Sequence, residues 1–203
     1  MITIEHILQI FKEGIDDYHR FDDVDHPLDN PYEEQSIEAF LYNKVWIDTV
    51  QWHLEDLIRH PHIDPVEALA LKRRIDQSNQ DRTDLVERID EYFWLLFQQV
   101  EPLPTATLNT ESPAWAIDRL SILQLKLYHM KAEAARPEAD ASHRAACEAK
   151  LQVLQQQNTD LCTALAQLFE CYKRGEKVMR MYKQMKMYND PNLNPVLYGQ
   201  QQP

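Results

Sequence analysis

The chain has 203 residues, with 33 Asp and Glu against 21 Lys and Arg, a formal net charge of −12. It contains three glycines, where average usage near ~7% would supply roughly fourteen. Neither GxGxxG nor a GxxxxGK phosphate loop can be built from Gly14, Gly175 and Gly199, so Rossmann and P-loop folds are excluded. The acidic balance excludes general nucleic-acid binding, which needs clustered Lys and Arg to neutralise phosphate.

The opening MITIEHILQIFKEG carries charges inside its apolar stretch and reads as helix, not as a signal peptide. No run approaches the ~18 apolar residues of a membrane span. Cys147, Cys162 and Cys171 lack CxxC spacing and read as reduced, packed thiols, with a cytoplasmic location as the expectation.

Proline is excluded from helix interiors at a cost of ~3 kcal/mol, so the stretches between prolines are the candidate helices. The first covers 4–18 behind Thr3 as N-cap, followed by the polar loop DDVDHPLDNP. The second covers 33–59. The third runs over 66–97 from an Asp64-Pro65 start signal, and the fourth from Ser112-Pro113 to about residue 135. The fifth covers 138–172 and is expected to continue helically beyond Gly175 as far as Met187, before an irregular tail from about 188. No strand alternation of useful length is present. The prediction is an all-α fold, an elongated antiparallel bundle of about five long helices in a single domain over 1–203.

The fifth helix has the most regular pattern. Leu151, Leu154, Asn158, Leu161, Leu165 and Leu168 follow 3-4 spacing, a heptad-like seam with one polar Asn inside it. It fits packing inside the bundle, and it equally fits a homodimer interface whose register Asn158 sets. The following turns concentrate Lys173, Arg174, Lys177, Arg180, Lys183 and Lys186 among Met179, Met181, Tyr182, Met185 and Tyr188. Such a basic end complements a helix dipole, or docks on a partner protein or an anionic surface.

The third helix holds the one break in an apolar stripe. On a wheel at 100° per residue, Leu71, Ile75, Leu85, Val86, Ile89, Phe93, Leu96 and Phe97 share an arc with Ser78, Asn79 and Arg82. An arginine there needs an acidic partner, a wet pocket or a bound anion. Asp76, Thr83 and Asp90 border the stripe. On the second helix, Lys44, Asp48, Gln51 and Glu55 form a polar stripe between a main apolar arc (Phe40, Trp46, Ile47, Val50, Leu54, Leu57, Ile58) and a smaller group (Leu41, Val45, Trp52). Asp48 or Glu55 is therefore expected to pair with Arg82. The candidate ligand-binding set is Asn79, Arg82, Asp48, Glu55, Gln51, Asp76 and Thr83, with a small anionic ligand as its occupant, since arginine grips carboxylate or phosphate bidentately. A structural ion pair is the competing reading.

The segment WIDTVQWHLEDLIR from Trp46, followed by Asp64-Pro65 and by ALALKRRIDQSNQDRTDLVE from Ala68, resembles an uncharacterised bacterial family of all-helical proteins about 200 residues long. The resemblance spans most of the chain and includes the Asn79/Arg82 turn. It implies a helical fold and a bacterial, cytosolic protein, and it transfers no catalytic residue.

Enzyme templates fit poorly. Helical nucleotide pyrophosphohydrolases pair EExxE with ExxD; Glu87 and Asp90 make an ExxD, but the Glu33/Glu34/Glu38 run has one residue too many. Only Asp48, Glu55, Asp76 and Asp90 are placed to converge on Mg²⁺. Neither ExxH nor HExxH occurs, His60, His62 and Asp64 read as a capped turn, and His53 reads as a partial-core histidine. No metal or cofactor is assigned. A ligand-binding bundle is the leading expectation, with a non-catalytic homodimeric adaptor and a metal-dependent nucleotide or phosphate-ester hydrolase as alternatives.

Overall fold

Residues 1–187 and 190–199 are described by the computed structural model. Among them the chain forms α1 (Ile4–Tyr18), α2 (Ile37–Leu57), α3 (Pro65–Phe97), α4 (Pro113–Ala135), α5 (Ala141–Lys173) and the single turn α6 (Pro195–Tyr198). All five long helices begin where a side chain accepts the first free amides: Thr3, Ser36, Asp64, Ser112 and Asp140 are the N-caps. The Ser36 and Asp140 caps start α2 and α5 a few residues later than expected, and Gln35, at φ 72°, breaks the chain just ahead of the α2 cap.

Side-chain pairs fix the packing sense. Arg88 lies over the Phe40 ring and Gln51 bonds Asn79, so α2 and α3 run antiparallel. Arg82 meets Asp118 while Asp90 meets Ala114, which does the same for α3 and α4. Gln124 to Asn158 and Glu133 to His143 orient α5 against α4. At ~1.5 Å per residue, the 33-residue helices α3 and α5 each extend about 50 Å, which gives the bundle its elongation.

Helix α2 packs on α1, α3 and α4, and α4 packs on all four other long helices. The supposedly minor apolar group of α2 is the better buried: Leu41 and Val45 are fully enclosed, whereas Leu57 of the main arc is exposed. With three neighbours, α2 has no fully exposed residue from 37 to 55, and Lys44 and Asp48 are drawn inside with the leucines. The approach of α1 to α2 is close enough that a Cβ at Gly14 would fall 2.5 Å from Val45 Cγ1.

The C-terminal half of the α5 seam packs within the chain, while Leu154 lines an apolar groove with Val153 and Met130. Leu165 and Leu168 are buried in the core and Leu161 packs against it. Asn158 accepts a 2.7 Å hydrogen bond from Gln124 of α4. Asn158, the polar residue inside the seam, thereby ties α5 to α4.

The expected helical continuation to Met187 does not form. Helix α5 ends in a Schellman turn: Glu176 N–H donates to Cys171 O at 2.9 Å and Gly175 N–H to Tyr172 O at 3.1 Å, with Gly175 at φ +68°. The chain then extends. Leu103 N–H bonds Gly175 O, Thr107 N–H bonds Glu176 O and Val178 N–H bonds Thr107 O, forming one parallel bridge between Thr107 and Lys177. Further on, Gln184 N–H reaches Glu87, and Lys186 Nζ reaches Asn79 O and Thr83 Oγ1. The basic segment is thus a strap on α3, with Tyr182, Met185 and Met187 exposed. Tyr188 lies outside the described residues.

Gly175 is irreplaceable on two counts, its positive φ and a Cβ position 2.5 Å from Glu101 O. Gly175→Ala is expected to lower unfolding free energy by more than ~1 kcal/mol in urea denaturation. Gly199→Ala, with nothing within 4 Å of its Cβ, should leave it unchanged.

Candidate functional site

The polar stripe of α2 meets α3 and α4 at a four-charge cluster. Arg82 of α3 grips Asp118 of α4 in a fork, Nε to Oδ1 at 2.8 Å and Nη2 to Oδ2 at 2.6 Å. Asp48 is the secondary partner, with Oδ1 3.4 Å from Arg82 Nε. Lys44, with no exposed side-chain surface, bonds Asp48 and sits 3.0 Å from Asp118 Oδ1. Ser121 Oγ donates to Asp48 Oδ2 at 2.5 Å. Two cations and two carboxylates from three helices cancel in charge, which is what makes their burial tolerable.

The predicted pairing with Arg82 is therefore correct for Asp48 only as a second contact, and it fails for Glu55, which pairs with Arg59 instead. The dominant partner, Asp118, went unread in the sequence. Its signal was there: in AIDRLSIL, Asp118 and Ser121 share one helix face at i, i+3, while the third polar residue, Arg119, is exposed. Burial pushes the Asp48 carboxyl above the ordinary range despite Lys44, Ser121 and Arg82. Burial acts the same way on Asp118, but the Arg82 fork and Lys44 outweigh it and hold that carboxyl low.

Beside the cluster opens a cleft of about 340 Å³ lined by Asp48, Gln51, Trp52, Glu55, Asp56, Arg59, Arg82 and Ile122. Four predicted residues line it: Asp48, Gln51, Glu55 and Arg82. Asn79 stands behind them, accepting from Gln51 Nε2 at 3.0 Å while Ser78 Oγ donates to Gln51 Oε1 at 3.1 Å, so the Gln51 amide is held at both ends. Asp76 and Thr83 are not brought to the cleft. Asp76 is exposed and paired with Lys72, and Thr83 lies under Lys186 beside a separate groove along the strap. A 33-residue helix cannot turn residues on different faces toward one pocket.

The carboxylates expected to converge on Mg²⁺ do not. Asp48 is locked in the cluster, Glu55 is on Arg59, Asp76 faces outward, and Asp90 accepts from Ala114 N–H at the start of α4. Glu87 of the ExxD accepts from the strap. His60 and His62 lie in an exposed turn, and Asp64 is occupied as the α3 cap.

A second constellation was missed. His19 at the end of α1, His53 of α2 and His129 of α4 present ring nitrogens within 4.8 Å of one another, the one such group of His, Cys, Asp or Glu among the described residues. His19 Nδ1 meets Ile15 O at 2.7 Å and its Nε2 faces His53 Nε2 at 3.3 Å. His129 Nε2 is buried without a hydrogen-bond partner. Burial, with the neighbouring histidines, lowers the His53 imidazole and brings His129 to about 4. Three histidines separated by 34 and 76 positions (53 − 19 and 129 − 53) form no sequence motif, so only the fold could collect them.

The model for a family described as a protein of unknown function (DUF4254) matches residues 38–181. The chain belongs to that family. The matched span holds Asp48, Arg82, Asp118, the whole cleft, His53 and His129, and it leaves α1 with His19 outside. No curated protein and no solved structure matches the chain. Among the described residues, no helix is long and apolar enough to cross a membrane.

Two consequences can be measured. Asp118→Ala strands Arg82 and Lys44 as buried, unmatched cations and is expected to cost about 3–5 kcal/mol in chemical denaturation. His129 is protonated more easily unfolded (6.5) than folded (about 4), so the unfolded chain holds more protons between those values. In chelator-containing buffer, stability is expected to fall as pH is lowered from 6.5 toward 4, and His129→Phe should flatten that slope.

Proposed function

We propose that the protein binds a small anionic molecule in the Arg82 cleft, and that the molecule also carries a hydrogen-bond donor. The observation that supports this is the disposition of unused valences around a rigid arginine. Asp118 consumes Nε and Nη2 of Arg82, and Nη1 makes no hydrogen bond among the described residues. Arg59 lines the same cleft. Guanidinium groups fixed in this manner favour carboxylate or phosphate oxygens, because little side-chain entropy remains to be lost on binding.

The opposite wall sets the second requirement. Glu55 and Asp56 line the cleft as carboxylate acceptors, whereas Asp48 Oδ1, buried and 3.4 Å from Arg82 Nε, is already matched in charge. Three carboxylates, Asp48, Glu55 and Asp56, line the cleft against two arginines, so a polyanion is disfavoured and a single acidic group beside an amino or hydroxyl group fits. Trp52 and Ile122 supply the apolar surface. The volume is at the lower end of small-molecule sites, ~300–1,000 Å³, consistent with a metabolite of amino-acid or hydroxy-acid size. Binding, with no reaction step, is what this arrangement supports.

Arg59 tests the site without breaking the core, since its side chain is two-thirds exposed. In a thermal-shift screen of amino acids, hydroxy acids and phosphorylated metabolites, confirmed by calorimetry, the best monoanionic ligand with a donor is expected to stabilise the protein. Arg59→Ala should weaken it about tenfold or more with an unchanged melting temperature of the free protein. Absence of any stabilising compound of that class, or equal affinity in Arg59→Ala, would sink the proposal.

A further inference from the structure

The histidine cluster lies outside the Arg82 cleft and has its own chemistry. We infer that His19, His53 and His129 form a binding site for a divalent transition metal of the zinc class, with the Asp22 carboxylate or a water at the fourth position.

The geometry carries the inference. Zinc held by imidazole at ~2.0–2.1 Å in a tetrahedron places neighbouring donor atoms about 3.3 Å apart. The His19 and His53 Nε2 atoms are separated by 3.3 Å, so this edge of the tetrahedron already exists. The three nitrogens lie within 4.8 Å of one another, and closing the widest gap to the same edge takes about 1.5 Å of side-chain movement. His19 Nδ1 is occupied by Ile15 O at 2.7 Å, which makes it the N–H donor and turns the Nε2 lone pair toward the cluster. A backbone carbonyl in that position is the ordinary outer support of a metal-bound histidine.

A hydrogen bond from His53 to His19 accounts for two of the rings and leaves the third unexplained. His129 Nε2 remains buried and unpartnered, although buried polar atoms nearly always find a partner. A cation at the centre supplies the missing partner and replaces a contact between two nitrogens by three bonds.

The surroundings hold the rings in place. Trp52 stacks on His129 at 4.8 Å and 6°, Tyr18 stacks on His53 at 5.0 Å and 17°, and Tyr128 lies against His19 at 4.2 Å. Asp22 adopts φ 51°, a left-handed conformation, and sets its Oδ1 3.9 Å from His53 Nε2. Three neutral imidazoles and one carboxylate suit zinc, copper or nickel and not magnesium or calcium, which prefer oxygen donors. Because Trp52 stacks on His129, a quenching metal such as Cu²⁺ or Ni²⁺ at the cluster should be visible in tryptophan fluorescence.

The full-length protein, stripped with chelator and desalted, is to be titrated with Zn²⁺ by calorimetry and with Co²⁺ by visible absorption. The expected result is one Zn²⁺ per chain with micromolar or tighter affinity, and the intense visible bands of four-coordinate Co²⁺. His53→Asn and His129→Asn should each weaken Zn²⁺ binding about 10–100-fold, while the double variant His60→Ala/His62→Ala, altered only in the exposed turn, should bind as before. Failure of the wild-type protein to take up Zn²⁺ overturns the inference whether or not the variants fold. So does an octahedral Co²⁺ spectrum, or undiminished binding by a folded His53→Asn/His129→Asn protein.

Discussion

Lys44 lies in the middle of the bundle with no access to water, on the helix that touches α1, α3 and α4. An ammonium group in that position is tolerable only with carboxylates in contact, and Asp48 and Asp118 provide them. Their combined negative charge in turn requires Arg82. Once these four groups are inside, the rotation of α2 and the axial positions of α3 and α4 are fixed, because a slip of one turn would separate a buried charge from its partner. The leucines and isoleucines around them supply most of the driving force but little of this register, since apolar contacts exchange neighbours at low cost.

The cleft is a by-product of the same arrangement. Arg82 reaches across from α3 to Asp118, and the space it leaves against α2 is lined by the outer part of the polar stripe. Specificity there comes from fixed groups: Arg82 is held by its carboxylate, and Gln51 is held by Ser78 and Asn79. On the other side of Trp52, the histidine cluster is assembled from α1, α2 and α4. Two polar sites share one indole as their dividing wall, and α2 contributes to both through residues only a turn apart.

Much of this was legible in the chain before folding. Prolines, caps and the glycine shortage determined the helices, and the break at Ser78, Asn79 and Arg82 located the polar turn. Periodicity failed at the end of α5, where the amphipathic pattern of 176–187 suits a helix but Gly175 adopts a positive φ and its neighbours complete a Schellman turn. The pattern also overreached on α3: Asp76 and Thr83 border the stripe but serve a different groove.

Identity and face of each residue are local properties, so the sequence by itself determined the all-helical class, the five long helices and the need of Arg82 for an acidic partner, a wet pocket or a bound anion. Which acid answers is a non-local matter. Asp118 rather than Glu55 as the main partner of Arg82, Lys44 enclosed between the two aspartates, the contact of Asn158 with Gln124 of α4, and three distant histidines within 4.8 Å were decided by tertiary packing alone. The physical reason is that charge burial and imidazole clustering depend on distances between helices, and those distances exist only once the bundle has closed.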